Sequence, residues 1–158
     1  IVSLYVYSYQ HQISFLRLAD AICMAMPIGL GLVRIGNFLN GELYGRPTDG
    51  TWGFIFPTDP YGFTRHPSQL YESIFEGFFL FILLLFISAK NNKHGVISGS
   101  FLLAYGLIRF FIEYFRQPDS HMGFVALQLS MGQLLSIPMV IIGLILLTKS
   151  LRRNEAIS

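Results

Sequence analysis

Four apolar stretches of about 20 residues each constrain this chain more than any other feature. They cover residues 18–39, 70–89, 95–115 and 128–148. At a rise of about 1.5 Å per residue, a helix of that length crosses a hydrocarbon core of about 30 Å. A lipid-exposed backbone must satisfy its own hydrogen bonds, and a helix does so within one segment. The expected fold is therefore an all-α, multi-pass transmembrane helical bundle of about four spans, forming one membrane domain over residues 1–158. Composition agrees: 53% of residues are hydrophobic and 13% charged, against about 45–50% and about 25% in soluble domains. Pro27 and Pro138 fall inside spans, where membrane helices tolerate them. Residues 1–17 read as the tail of an earlier helix followed by a loop. The chain opens on Ile1 without a signal-peptide pattern, so a start truncated within a longer membrane domain is expected.

Charge placement orients the bundle. Arg17, then Lys90, Lys93 and His94, then Lys149, Arg152 and Arg153 fall on one side of a four-span arrangement. By the positive-inside rule that side, with the C-terminus, is cytoplasmic. The opposite side holds residues 40–69 and 116–127, whose arginines are matched by Asp49, Asp59 and Asp119. The longer of these loops is rich in Gly, Pro and aromatics, which marks an ordered, turned segment or one lying at the membrane interface. A net charge of +2 is too small to indicate nucleic acid. A single cysteine, Cys23, excludes an internal disulfide. No metal-ligand spacing and no nucleotide-binding motif is present, so neither metal nor cofactor is expected.

An ionisable residue inside a span costs about 2.5–3.5 kcal/mol on insertion scales, which makes it a site candidate. Arg34, Glu72, Glu76, Arg109 and Glu113 all lie in or beside spans, in the halves nearer the non-cytoplasmic side. Their shared depth suggests one polar cavity opening outward. Arg109 and Glu113 are spaced i, i+4 on a helix face that Tyr105 and Arg116 extend. An internal ion pair that only neutralises both charges is the blander reading. Glu72 and Glu76 are also i, i+4, and like charges at that spacing repel. Each therefore needs a cation, for which Arg109 and Arg116 are candidates, and both a structural and a functional role stay open. The first span ends Arg34-Ile-Gly-Asn37-Phe-Leu-Asn40-Gly-Glu42-Leu-Tyr-Gly45-Arg46. Arg34 and Asn37 share a helix face at i, i+3, and Gly41 and Gly45 permit turns with positive φ. A helix end with a snorkelling arginine and a glycine-rich exit is the alternative. His66 has acid–base capacity but reads more simply as a histidine in a proline-anchored turn. His11 and His94 read as loop histidines, His121 lacks neighbouring ligands, and Cys23 reads as packing.

The stretch Arg34 to Arg46 closely resembles the signature of the prolipoprotein diacylglyceryl transferase family. Further segments resemble it in order: Arg65-His-Pro-Ser-Gln-Leu-Tyr-Glu72 with Glu76-Gly77, then Tyr105 to Asp119, then Met131-Gly-Gln-Leu-Leu-Ser-Ile-Pro138. The resemblance covers essentially residues 20–143. Val33 departs mildly, standing where the family usually has Gly. Members of the family have several more transmembrane helices before the first span seen here. A His-Gly-Gly segment proposed to contribute to their site lies in that part, and residues 1–17 hold no equivalent.

The resemblance implies transfer of a diacylglyceryl group from phosphatidylglycerol to the lipobox cysteine in the signal peptide of a preprolipoprotein. A thioether forms and glycerol phosphate leaves, on the outer face of the bacterial inner membrane. The residues suit such chemistry independently. A departing phosphate gains charge, and preorganised guanidiniums stabilise it and match its oxygens bidentately. Arg34 and Arg109 are thus expected to hold the phosphate, with Glu113 orienting Arg109. Asn37 is expected to donate to head-group oxygens, and Glu42 to orient Arg34 or a head-group hydroxyl. Gly45, Tyr105, Arg116 and His66 complete the expected substrate-binding set. The competing class is a non-catalytic membrane module or transporter with an internal charge network, although no internal repeat of the transporter kind is visible.

Overall fold

The computed structural model describes residues 2–117, 124–126 and 129–152. Asp119, His121 and Arg153 lie outside the described residues. Helix α1 (Val2–Gln10) ends in a turn in which Gln12 takes a φ of 54°, and α2 (Phe15–Leu39) follows. A hairpin of β1 (Phe54–Ile55) and β2 (Thr64–Arg65) precedes a continuous helical run from Ser68 to Lys90. That run comprises α3 (Ser68–Glu72), a π-helical segment (Ser73–Phe79) and α4 (Leu80–Lys90). Then come α5 (Val96–Ile112), the short antiparallel pair β3 (Phe124–Ala126) and β4 (Leu129–Ser130), and α6 (Met131–Arg152).

Among the described residues, three helical runs are long and apolar enough to cross a membrane: α2, Ser68–Lys90 and α6. Helix α5 is apolar but shorter, with 17 residues. Few residues in the apolar windows of the three long runs are buried, 11%, 28% and 17% respectively. A water-soluble protein would not leave so much continuous apolar surface uncovered. The chain is an all-α membrane bundle.

Local chemistry sets the helix ends. Ser130 Oγ accepts from the backbone N–H of Gln133 at 3.3 Å, and Gln133 Oε1 accepts from that of Ser130 at 3.1 Å. This reciprocal capping box starts α6 at Met131, where hydropathy alone suggests 128. Helix α5 is capped from outside. Asp20 of α2 accepts from the backbone N–H of Gly95 at 2.6 Å and of Ser98 at 2.8 Å, and from the Ser98 hydroxyl at 2.5 Å. An acidic side chain at a helix N-terminus satisfies orphan donors and favours the helix dipole. Asp20 therefore ties α2 to the start of α5. The core is Leu80 and Leu84 of α4 with Ile97 and Phe101 of α5, and Cys23 of α2 and Tyr105 of α5 pack against it. Packing is thus the role the structure gives Cys23.

One close approach positions the polar residues. A Cβ built on Gly77 would lie 2.7 Å from the Cα of Gly31. Only glycine on both sides allows α2 and the π-helical segment to meet backbone to backbone. Arg34 lies one turn beyond Gly31, and Glu76 lies beside Gly77. The glycine contact therefore carries the α2 arginine to the glutamates of the next run.

Candidate active site: a buried arginine–glutamate cluster

Glu72 and Glu76 are both completely buried. Glu72 Oε2 lies 2.9 Å from Arg34 Nη2, 2.7 Å from Arg109 Nη1 and 3.8 Å from Arg116 Nη1. Arg109 Nη1 also reaches Glu76 Oε1 at 3.4 Å, and its Nη2 lies 3.1 Å from Glu113 Oε2. Among the described residues, three guanidiniums thus face three carboxylates contributed by α2, by the Ser68–Lys90 run, and by α5 with the turn after it. π-helical segments inside helices occur frequently at functional sites. Here the segment begins directly after Glu72 and contains Glu76.

Of the expected site residues, Arg34, Arg109, Glu113 and Arg116 come together. Arg109 Nη2 reaches Glu113, but Glu72 is the nearer carboxylate, and among the described residues it lies within 3.8 Å of all three arginines. Tyr105 lies one turn before Arg109, half-buried and stacked on Phe101 with ring centroids 5.6 Å apart. Asn37 is half-buried on α2, and among the described residues no hydrogen bond ties its amide to the cluster. Glu42 does not orient Arg34. It is exposed and accepts from Asn40 Nδ2 at 3.0 Å, because the chain has already turned out of α2 at Gly41, where φ is +68°. His66 turns to Tyr71, with Nδ1 3.4 Å from its hydroxyl, and meets Phe115 edge-on.

Gly45 has a different task from the one its sequence context suggests. Its φ is not positive; space is what it lacks. The segment after α2 threads between two others, with Gly45 N–H donating to His66 O at 2.8 Å and Arg46 N–H to Phe115 O at 2.9 Å. A Cβ at Gly45 would lie 2.5 Å from Phe115 O and 2.7 Å from His66 O. Gly45→Ala is expected to destabilise the protein by about 1–3 kcal/mol, the usual cost of overpacking. Thermal unfolding in detergent checks this, and an unchanged midpoint would contradict it.

Gln69 and Ser68 staple the same segment to α3. Gln69 Nε2 donates to Glu42 O at 2.7 Å, and Ser68 Oγ to Leu43 O at 3.4 Å. Above them, Arg65 forms a buried two-point pair with Asp59: Nε to Oδ2 at 2.6 Å and Nη2 to Oδ1 at 3.0 Å. The guanidinium also donates to Gln117 and lies 4.7 Å from the centroid of the Tyr44 ring. One arginine thereby joins the three loop segments beyond the helices, so the loop over residues 40–69 is ordered.

The Arg65 hydrogen bond holds the Asp59 carboxyl below the usual carboxylate range, against the opposing pull of burial. The backbone N–H groups of Tyr61 and Phe63 help, donating to the same carboxylate. A depressed pKa means the stabilisation is present above the unfolded-state value, about 3.9. It is lost as pH falls through the lower folded value. Hydrogen-exchange protection of the Tyr61 and Phe63 amides should collapse through that acid window in the native protein. In Asp59→Asn, protection should be weak and independent of pH. A pH-independent native profile would refute the coupling.

Glu72 is the residue that sequence reading undervalued. Its signal was present: two glutamates one turn apart in a span, at the depth of Arg34 and Arg109. Comparison with known proteins now gives the cluster a context. The prolipoprotein diacylglyceryl transferase family model matches residues 1–149. A phosphatidylglycerol–prolipoprotein diacylglyceryl transferase of Idiomarina loihiensis is 45% identical over 150 residues, covering 95% of this chain and 56% of that relative. Proteins of the same name from Geobacter sulfurreducens and Aliivibrio fischeri are 50% and 48% identical, covering 92% and 94% of this chain and 55% and 53% of their own lengths. The chain thus spans about half the length of these curated relatives. With the match running across every element that builds the cluster, this chain belongs to the prolipoprotein diacylglyceryl transferase family.

Proposed function

We propose that this chain carries the phosphate-holding part of a site that transfers a diacylglyceryl group from phosphatidylglycerol to the lipobox cysteine of a preprolipoprotein. The observation that supports this best is the single carboxylate oxygen shared by Arg34 and Arg109 at 2.9 and 2.7 Å. Two guanidiniums from different helices converge on one anionic oxygen, the geometry that a phosphate oxygen requires. A guanidinium has five N–H donors, so each arginine can keep its carboxylate and still meet a phosphate. In the reaction the thiol loses its proton and sulfur bonds to the glyceryl carbon. The C–O bond to phosphate breaks, its electron pair stays on the leaving oxygen, and glycerol phosphate departs. Donors fixed before the reaction stabilise that developing charge without reorganising, more strongly in a poorly hydrated site than in water. Glu72, Glu76 and Glu113 hold the donors in place. The bundle would sit in a bacterial inner membrane, with the cluster toward the outer face and the C-terminus cytoplasmic, as the placement of basic residues implies.

The equal count of arginines and glutamates favours one rival, an internal charge network without catalysis. A single assay separates them. The chain, preceded by the helices its relatives carry, is given labelled phosphatidylglycerol and a lipobox peptide in liposomes. Glycerol phosphate should appear in step with lipidated peptide. A folded protein that binds the lipid but releases no glycerol phosphate would favour the rival.

A further inference from the structure

Residues 50–64 differ from an ordinary water-exposed hairpin in one respect: none of their accessible side chains is charged. Asp59 is the single ionisable acid or base of the charged classes in this stretch, and it is buried against Arg65. What the hairpin displays instead is apolar and aromatic. Trp52 is 81% exposed, Tyr61 73% and Ile55 68%, with Phe54 and Phe63 about half exposed. Its backbone is largely satisfied from within. Phe54 and Ile55 pair with Arg65 and Thr64, Asp59 N–H donates to Phe56 O, and Gly62 N–H donates to Asp59 O. Both properties suit a layer poor in water, where an unpaired backbone group or a bare charge is costly.

The hairpin is also fixed in depth. Phe38, in the last turn of α2, meets Phe54 and Phe56 edge-on, with ring centroids 5.5 and 5.9 Å apart. The hairpin therefore sits where a membrane-crossing helix ends. Trp and Tyr concentrate at that level of a bilayer because each has an apolar body and a polar tip.

We infer that this hairpin is seated in the interfacial layer of the leaflet on the cluster's side, with Trp52, Ile55 and Tyr61 against phospholipid. Its occupant is the bilayer surface, continuous with the lipid around α2. Strand β2 runs through His66 and Pro67 directly into α3, and Arg65 is locked to Asp59. The seat in the leaflet thereby sets the depth at which Glu72 and its arginines meet a lipid head group.

Trp52 is the only tryptophan in the 158 residues, which gives a direct readout. The protein is reconstituted in phosphatidylglycerol–phosphatidylcholine nanodiscs carrying lipids brominated either near the head group or at mid-chain. In a longer chain with further tryptophans, the difference from Trp52→Phe isolates the signal. Trp52 emission should be blue-shifted and quenched more by the shallow bromines than by the deep ones, and Ile55→Glu should lose that quenching. Water-like emission without quenching by either lipid would overturn the inference. So would quenching that is stronger at mid-chain, or a blue shift that appears only when an apolar signal peptide is added. The readout needs no transfer activity, so it stands or falls apart from the proposed reaction.

Discussion

Glu72→Gln is expected to destabilise the protein by about 3–5 kcal/mol, the usual cost of removing one partner from a buried ion pair. The glutamine keeps the shape and one acceptor oxygen, so the charge is what is lost. That charge serves three cations at once, on a side chain with no exposure. Without it, Arg34, Arg109 and Arg116 lose the carboxylate that lies within 3.8 Å of all three. Transfer should fall with stability, because Arg34 and Arg109 lose the oxygen that holds them together. Denaturant unfolding in micelles, paired with the transfer assay, checks both effects. Unchanged stability would mean that the cluster's charges are compensated elsewhere.

Arg34→Lys should behave in the opposite way, with transfer lost and stability nearly kept. Among the described residues Arg34 makes one ion pair within 4 Å, with Glu72, and its side chain keeps 16% exposure, so a lysine that retains the charge loses little of the pair. A lysine does lose the planar fork that meets two phosphate oxygens together. Removing one preorganised donor from a developing oxyanion costs about 10²–10³-fold in rate, and a loss of that size is expected here. Arg109→Lys differs because Arg109 lies within 3.4 Å of three carboxylates, so both activity and stability should fall. Near-normal turnover in Arg34→Lys would remove the phosphate assignment.

The contrast between these two variants also shows where sequence stops being informative. Membrane spans were legible because lipid demands long apolar runs, and Arg34, Arg109 and Glu113 were legible because charges inside such runs are costly. Their convergence on Glu72 was not, since it depends on contacts between residues 38 and 37 positions apart, made possible by Gly31 and Gly77. An i, i+4 pattern records neighbours on one helix and is silent about the helix opposite. The same gap explains Asp20, whose partners Gly95 and Ser98 lie two helices later. Glycine in a sequence signals either a positive φ or a close approach. Gly41 proved to be the first and Gly45 the second. The turn at Gly41 carries Glu42 outward to Asn40 and away from Arg34, and nothing in the spacing fixes which way a side chain leaves a turn.

The most direct test of the phosphate assignment is the structure of a longer family chain carrying these residues with phosphatidylglycerol bound. The lipid phosphate should lie within hydrogen-bond distance of both the Arg34 and Arg109 guanidiniums, with Glu72 still between them. A phosphate bound elsewhere in the protein, with both guanidiniums still engaged only by glutamates, would contradict it and leave the cluster as internal scaffolding.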